Sequence, residues 1–156
     1  MPDVSVSVGE TPASTGETPS ELPPLPPALR ALIVDDEATT VLVLRRALED
    51  AGYEVVGQAK DGREGVAEAI RTRPDLILMD YSMPGMDGIQ AMQEIMGQRP
   101  VPIIMLTGHS DEEHINQAIE AGASTYLVKP INRARLLPAI RTAFDVFTTR
   151  RPVNRT

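Results

Sequence analysis

Six side chains, far apart along the chain, have the types needed for one piece of chemistry. Asp35, Asp36 and Glu37 follow the apolar run ALIV; Asp80 follows DLILM; Thr107 follows VPIIML; Lys129 follows TYLV and precedes Pro130. Singly, each has an ordinary role: an acid at a strand-to-helix turn caps the helix, a threonine turns the chain, a lysine faces water. Together they make a different site. Clustered carboxylates repel, and each has a raised pKa unless a cation joins them. A hard divalent ion such as Mg²⁺ takes one or two carboxylates, keeps several waters and accepts phosphate oxygens as further ligands. A lysine ammonium and a threonine hydroxyl are natural donors to phosphoryl oxygens. Asp80, which alone ends the middle run, is then the candidate nucleophile for a phosphoryl group. The stretch DLILMDYSMPGMDG (75–88) adds a proline and two glycines just after it. Such a loop is expected to turn sharply, so that a backbone carbonyl also reaches the metal.

The elements that must position these residues are legible as alternating patterns. Residues 31–34, 54–59, 75–79, 101–106 and 125–128 read as five strands, three of them almost continuously apolar, as parallel strands covered on both faces are. Helical periods lie between and after them. Val41, Leu44 and Leu48 share one face of a first helix over 39–51, and Gly52 supplies a left-handed stop. Val66, Ala69 and Ile70 mark a second helix; Ile89, Met92, Ile95 and Met96 mark a third. The fourth opens with Ser110 and Glu113 at capping-box spacing and has a thin apolar face of Ile115, Ala118 and Ile119. The fifth, 133–147, presents Leu136, Leu137, Ile140, Ala143, Phe144 and Phe147, with Pro138 expected to disturb its first turn. Strand and helix alternating five times predict a doubly wound α/β domain with a parallel sheet. Its ligand site belongs beyond the carboxyl ends of the strands, where the six residues fall.

Composition narrows the function. The 156 residues are 42% hydrophobic but only 3% aromatic, so the core must be aliphatic. There is no cysteine, hence no disulfide, thiol nucleophile or cysteine-held zinc. The net charge is −7: residues 1–29 carry four acids and no Lys or Arg, and residues 30–147 carry 18 acids against 12 bases. An acidic domain argues against direct nucleic-acid binding. Neither a signal peptide nor a membrane-spanning run is apparent, and a cytoplasmic location is expected. Residues 1–28 read as a Pro/Ser/Thr-rich disordered arm with a polyproline stretch, PPLPP, acting as a stiff linker. Residues 29–147 form the domain, and 148–156 a basic tail too short for an output module. Two readings stay open, a stand-alone domain, which the extended arm favours, and the front part of a longer regulator.

The motifs LIVDDE, DLILMDYSMPGMDG, IIMLTGH and AGASTYLVKP, in that order, resemble the receiver domain of two-component response regulators. The resemblance runs from Arg30 to about Phe147. It implies a flavodoxin-like (βα)5 fold and a signalling phosphoprotein rather than an enzyme. Asp80 would accept a phosphoryl group, forming an aspartyl phosphate, from a phosphohistidine of a sensor histidine kinase or a phosphorelay histidine phosphotransfer protein. Asp36 would bind Mg²⁺ (or Mn²⁺) directly, Asp35 mainly through water, and Ser82 through its backbone carbonyl. Lys129 would pair with the phosphoryl group. Thr107 would swing to hydrogen-bond it, and Tyr126 would rotate inward behind Thr107, switching the face of helix four, strand five and helix five that a downstream protein partner reads. The Lys129–Pro130 bond would be cis. Ser82 and His109 would tune phosphate lifetime, and Gly108 would leave the site open to the donor. The kinase would touch the first helix near Thr40 and Val43, and the loop at Pro130. Two other readings are an aspartyl-phosphate-type hydrolase, which wants a second acid where Ser82 stands, and a structural receiver that accepts no phosphate.

Overall fold

The computed structural model of the chain describes residues 28–108 and 112–150. The arm expected before Ala28, together with His109, Ser110 and the residues after Arg150, lies outside the described residues. The elements alternate strictly: β1 (Arg30–Val34), α1 (Ala38–Asp50), β2 (Glu54–Ala59), α2 (Gly62–Thr72), β3 (Leu76–Asp80), α3 (Gly88–Gln98), β4 (Ile103–Thr107), α4 (Glu112–Ala121), β5 (Thr125–Val128) and α5 (Arg133–Arg150). The five strands form one parallel sheet in the order β2-β1-β3-β4-β5. Helix α5 continues to Arg150, three residues past the expected domain end. Among the described residues, no helix is long and apolar enough to cross a membrane.

Two aliphatic cores sandwich the sheet, and the period-two alternation of the strands sorts residues between them. Leu32, Val34, Ile77, Met79, Ile103 and Met105 face α2, α3 and α4, where they meet Ala69, Met92, Ile95 and Ala118. Ala31, Ile33, Leu76, Leu78, Ile104 and Leu106 face α1 and α5, where they meet Leu44, Leu48, Leu136 and Ile140. All of β3 and β4 is buried, which is why their sequences read as unbroken apolar runs.

Some expected faces are rotated. Helix α2 buries Gly62, Gly65, Ala69 and Thr72, while Ile70 is exposed. The helix lies so close to the sheet that a Cβ on Gly65 would stand 2.8 Å from Val34, so small residues rather than large ones mark its inner side. Leu137 of α5 is exposed, since Leu136, Ile140 and Ala143 already complete the inward stripe. Pro138 lies inside α5 on the exposed side and the helix does not break there. The carbonyl one turn back loses its intrahelical donor where water can replace it. On α1, Thr40 is buried and Val43 half-buried; Leu42 is the exposed apolar residue of that helix. The stop after α1 is as expected, with Gly52 at φ 89°.

Register brings the carboxyl ends of the central strands level. Val34 pairs with Met79, Asp80 with Leu106, and Thr107 with Val128. Asp35 and Asp80 therefore leave neighbouring strands side by side. The strand order reverses between β1 and β3, the switch point at which doubly wound sheets bind their ligands. Backbone bonds pin the residues just past the ends: Asp35 N–H donates to Ala59 O (2.9 Å), Tyr81 N–H to Leu106 O (2.8 Å) and Lys129 N–H to Thr107 O (2.7 Å).

The loop between β3 and α3 returns tightly onto the strand it leaves. Gly85 supplies the left-handed turn at φ 77°. Gly88 packs against the end of β3, where an added Cβ would lie 2.2 Å from the carbonyl oxygen of Asp80. Asp87 then caps α3 by accepting from Gln90 N–H at 2.8 Å. Gly88→Ala is expected to destabilise the domain by about 2–3 kcal/mol, because backbone rather than a movable side chain blocks the methyl. Gly97→Ala in the same helix, with open space around it, should instead stabilise by roughly 0.5–1 kcal/mol. Urea melts of the two variants, read against the parent chain, give both signs.

Candidate phosphoryl-acceptor site

The strand ends gather the expected side chains around one ammonium. Lys129 Nζ lies 2.9 Å from Asp35 Oδ2, 2.9 Å from Glu37 Oε1 and 3.3 Å from Asp80 Oδ2. Asp35 and Asp80 are buried, while Asp36 faces solvent. Asp35 also organises its own turn, with Oδ1 accepting from Glu37 N–H at 2.8 Å. Asp80 Oδ1 accepts from Ser82 N–H at 3.2 Å, so the loop fixes the carboxylate's orientation through its backbone. Thr107 ends β4 and is buried; Gly108 beside it is exposed. Tyr126 lies on the outer strand β5 with 38% of its surface exposed. Lys129–Pro130 is a cis peptide.

Glu37 stood among the strand-end acids in the sequence, with a helix cap as its ordinary reading and no contact to Lys129 assigned to it. It occupies the N-cap position of α1, but its side chain caps nothing. Instead its Oε1 contacts Lys129 and accepts from Thr40 Oγ1 at 2.9 Å. The signal that could have found it was its place, one residue beyond an acidic pair and on the same strand end as the lysine.

Electrostatics follow from crowding. Burial pushes the Asp80 carboxyl up to about 6, and the neighbouring charge of Asp35 adds to that; Lys129 and the Ser82 N–H pull the other way without cancelling it. Burial works against the charge on Lys129, yet contacts with Asp35 and Glu37 and the charge of Asp80 raise its pKa overall. Glu37 is lowered, by Lys129 first and by the Thr40 hydroxyl next.

The donor set fits a hard divalent cation. One carboxylate oxygen from each of Asp35, Asp36 and Asp80 lies within 4.8 Å of the others. Asp35 Oδ2 is buried without hydrogen-bond geometry to any partner, although it is close to the lysine, so its lone pairs are incompletely used. Oxygen-only ligands, two buried and one open to water, match Mg²⁺ better than metals that prefer nitrogen or sulfur.

Comparison with known proteins identifies the family and the fold. The family model described as the response regulator receiver domain matches residues 31–141. The transcriptional regulatory protein PdtaR of Mycobacterium tuberculosis is 45% identical over 118 residues, covering 76% of this chain and 58% of PdtaR. The chain thus spans little more than half the length of that relative. The chemotaxis protein CheY of Thermotoga maritima is 40% identical over 112 residues, covering 71% of this chain and 93% of CheY. Among solved structures, the response regulator domain of Thermotoga maritima CheB superposes with a TM-score of 0.69 at 36% identity, covering 74% of this chain and 96% of that one. A chain of the CheX–CheY–BeF3–Mg²⁺ complex from Borrelia burgdorferi gives 0.71 at 31% identity, covering 74% and 89%.

The raised Asp80 value has a definite sign in stability. The folded state holds a proton on Asp80 that the unfolded chain has released between about pH 4 and 6, so this group's contribution falls as pH rises through that window. Asp80 itself therefore contributes least at neutral pH. In metal-free buffer, Asp80→Asn is expected to be more stable than the parent by about 1–3 kcal/mol at pH 7.5, with the difference shrinking towards pH 4. Urea denaturation across that range, with chelator present, measures it.

Proposed function

The chain belongs to the response regulator receiver domain family, and on that premise we propose that it accepts a phosphoryl group on Asp80 from a phosphohistidine of a sensor kinase or histidine phosphotransfer protein. The observation that carries this reading is Asp80 itself: a buried carboxylate at the switch point, 3.3 Å from Lys129 and grouped with Asp35 and Asp36. With its pKa raised only to about 6, Asp80 is mostly ionised near neutral pH and keeps the basicity of a competent nucleophile. An Asp80 oxygen attacks phosphorus in line with the imidazole; the P–O bond forms as the P–N bond breaks, and the imidazole leaves with the bond pair and takes a proton from solvent. Asp35, Asp36 and Asp80, with the Ser82 carbonyl, would hold Mg²⁺, which supplies positive charge against the phosphoryl oxygens. Lys129 supplies the second cation and moves its contact from the carboxylate to the new phosphoryl oxygens. Thr107, at the end of β4, offers a hydroxyl to a third oxygen.

The output follows from what that hydroxyl leaves behind. As Thr107 turns to the phosphoryl group, Tyr126 on the neighbouring strand gains room to rotate inward. Tyr126, Val128 and Leu137 are exposed apolar residues of β5 and α5, and α4 buries only Ala118. This lightly anchored face suits an element with two positions, read by a downstream protein partner. His109, proposed to tune phosphate lifetime, lies outside the described residues. The hydrolase reading is disfavoured because Ser82 stands where its second acid is needed.

Incubation with acetyl phosphate and Mg²⁺ is expected to add one phosphoryl group by intact mass, and Asp80→Asn should add none. Steady release of phosphate from an ester substrate would instead indicate the hydrolase. Thr107→Ala should still accept the group yet lose the accompanying change in Tyr126 environment, followed by tyrosine fluorescence or NMR. An unchanged Tyr126 response in that variant would remove Thr107 from the switch.

A further inference from the structure

Glu37 is unassigned by the acceptor mechanism, yet it makes one of the closest contacts to the ammonium on which the mechanism depends. Its Oε1 lies 2.9 Å from Lys129 Nζ, closer than Asp80 Oδ2 at 3.3 Å. The same oxygen accepts from the hydroxyl of Thr40, which is buried in the first turn of α1. Glu37 is itself 59% exposed at the side chain, whereas Lys129 is 15% exposed. An outer carboxylate, steadied by the helix, thus holds an inner ammonium. The other anions around that ammonium are Asp35 and Asp80.

The geometry points to Glu37 as a positioning residue that competes with the incoming phosphoryl group for Lys129. A lysine has three N–H donors, and here three carboxylate oxygens lie within 3.3 Å of it. A phosphoryl group on Asp80 takes over the donor that Asp80 held, and its remaining charged oxygens compete for the other two. Asp35 is fixed at the strand end, with Oδ1 committed to the Glu37 N–H. Glu37 has solvent to turn into, so its contact is the one that a second phosphoryl oxygen displaces. Glu37 then sets how readily Lys129 is surrendered, and with it the standing occupancy of the phosphorylated form. This inference rests on the acceptor reading above and concerns only the partition of Lys129.

An exposed ion pair of this kind is modest, so a change of about two- to fivefold in apparent affinity is the expected scale. The test is titration of beryllofluoride, a phosphoryl mimic, at saturating Mg²⁺ into the full chain, read by tyrosine fluorescence, with Mg²⁺ alone titrated in parallel. Glu37→Gln keeps the shape and removes the charge; it should lower the beryllofluoride midpoint by about two- to fivefold while leaving Mg²⁺ affinity equal or weaker. A general loosening of the site would weaken both. Thr40→Ala leaves the charge in place and frees Glu37 to wander; it should shift the beryllofluoride midpoint in the same direction, by less. An unchanged or raised midpoint in Glu37→Gln overturns the proposal. So does a lowered midpoint that Thr40→Ala does not share, since that assigns the effect to net charge alone. If the parent chain shows no Mg²⁺-dependent beryllofluoride response, the acceptor reading itself fails, an outcome distinct from an altered ranking of the variants.

Discussion

One ammonium among four acidic side chains is the constraint on which this domain's chemistry depends. Lys129 touches Asp35, Glu37 and Asp80, and Asp36 completes the cluster with Asp35 and Asp80. Such a group does not form because it is favourable. Buried carboxylates repel, and the raised value at Asp80 records an unfavourable balance that the rest of the fold must absorb. The absorbing structure is the central sheet. β1, β3 and β4 are buried along nearly all their length and are packed on both sides, so their ends cannot splay apart to relieve the charge. Strain at functional positions, held by surrounding packing, is the general pattern. Here it is electrostatic, and it leaves the cluster receptive to added positive charge.

Rigidity is distributed unevenly, and the distribution has a direction. The residues that crowd one another, Asp35 and Asp80, leave the two most fully packed strands of the switch point. Moving outward, β4 is still buried, but β5 exposes Tyr126 and Val128, and α4 buries Ala118 alone. Elements with few buried apolar contacts open at low cost. Thr107 is at the boundary: it ends a buried strand, and its carbonyl accepts from the Lys129 N–H that follows the exposed one. A charge change at Asp80 therefore meets firm walls on the β1 side and yielding ones on the β5 side. On the proposed acceptor reading, the response would be channelled towards α4 and β5, where the packing is thin.

Much of this was legible in the sequence because the strongest signals coincide with the strongest packing. DLILM and IIML are unbroken apolar runs since both faces of β3 and β4 are covered, and the residues after them stand at the site because parallel strands end level. The sequence was less informative where small residues do the packing. Gly65 is buried against Val34 because a larger residue could not fit, and a search for large apolar residues assigns α2's inner face to Ile70 instead. Leu137 misleads for the converse reason, being apolar at a position where the inward stripe is already filled. Glu37's contact with Lys129 escaped because the two lie 92 residues apart. Its local pattern, an acid before a helix, has a sufficient local explanation that does not hold in three dimensions.

The same electrostatics bear on whether the site should hold a phosphoryl group or turn it over. Rapid hydrolysis of an acyl phosphate needs a base placed beside the attacking water and basic enough to take its proton. Glu37 is an exposed acid in contact with Lys129, and its pKa is lowered by that lysine and by Thr40, which makes it a weaker base for as long as it holds them. Ser82, two residues beyond Asp80, has no carboxylate to offer. Asp35 is buried and already accepts from the Glu37 N–H. In the unphosphorylated cluster the acids are thus placed to bind cations rather than to move protons. Release of Glu37 from Lys129, as proposed above, would be double-edged. It frees the ammonium for the phosphoryl group, and it also restores basicity to a carboxylate near that group. If Glu37 acts as proposed, occupancy and lifetime are linked through a single side chain.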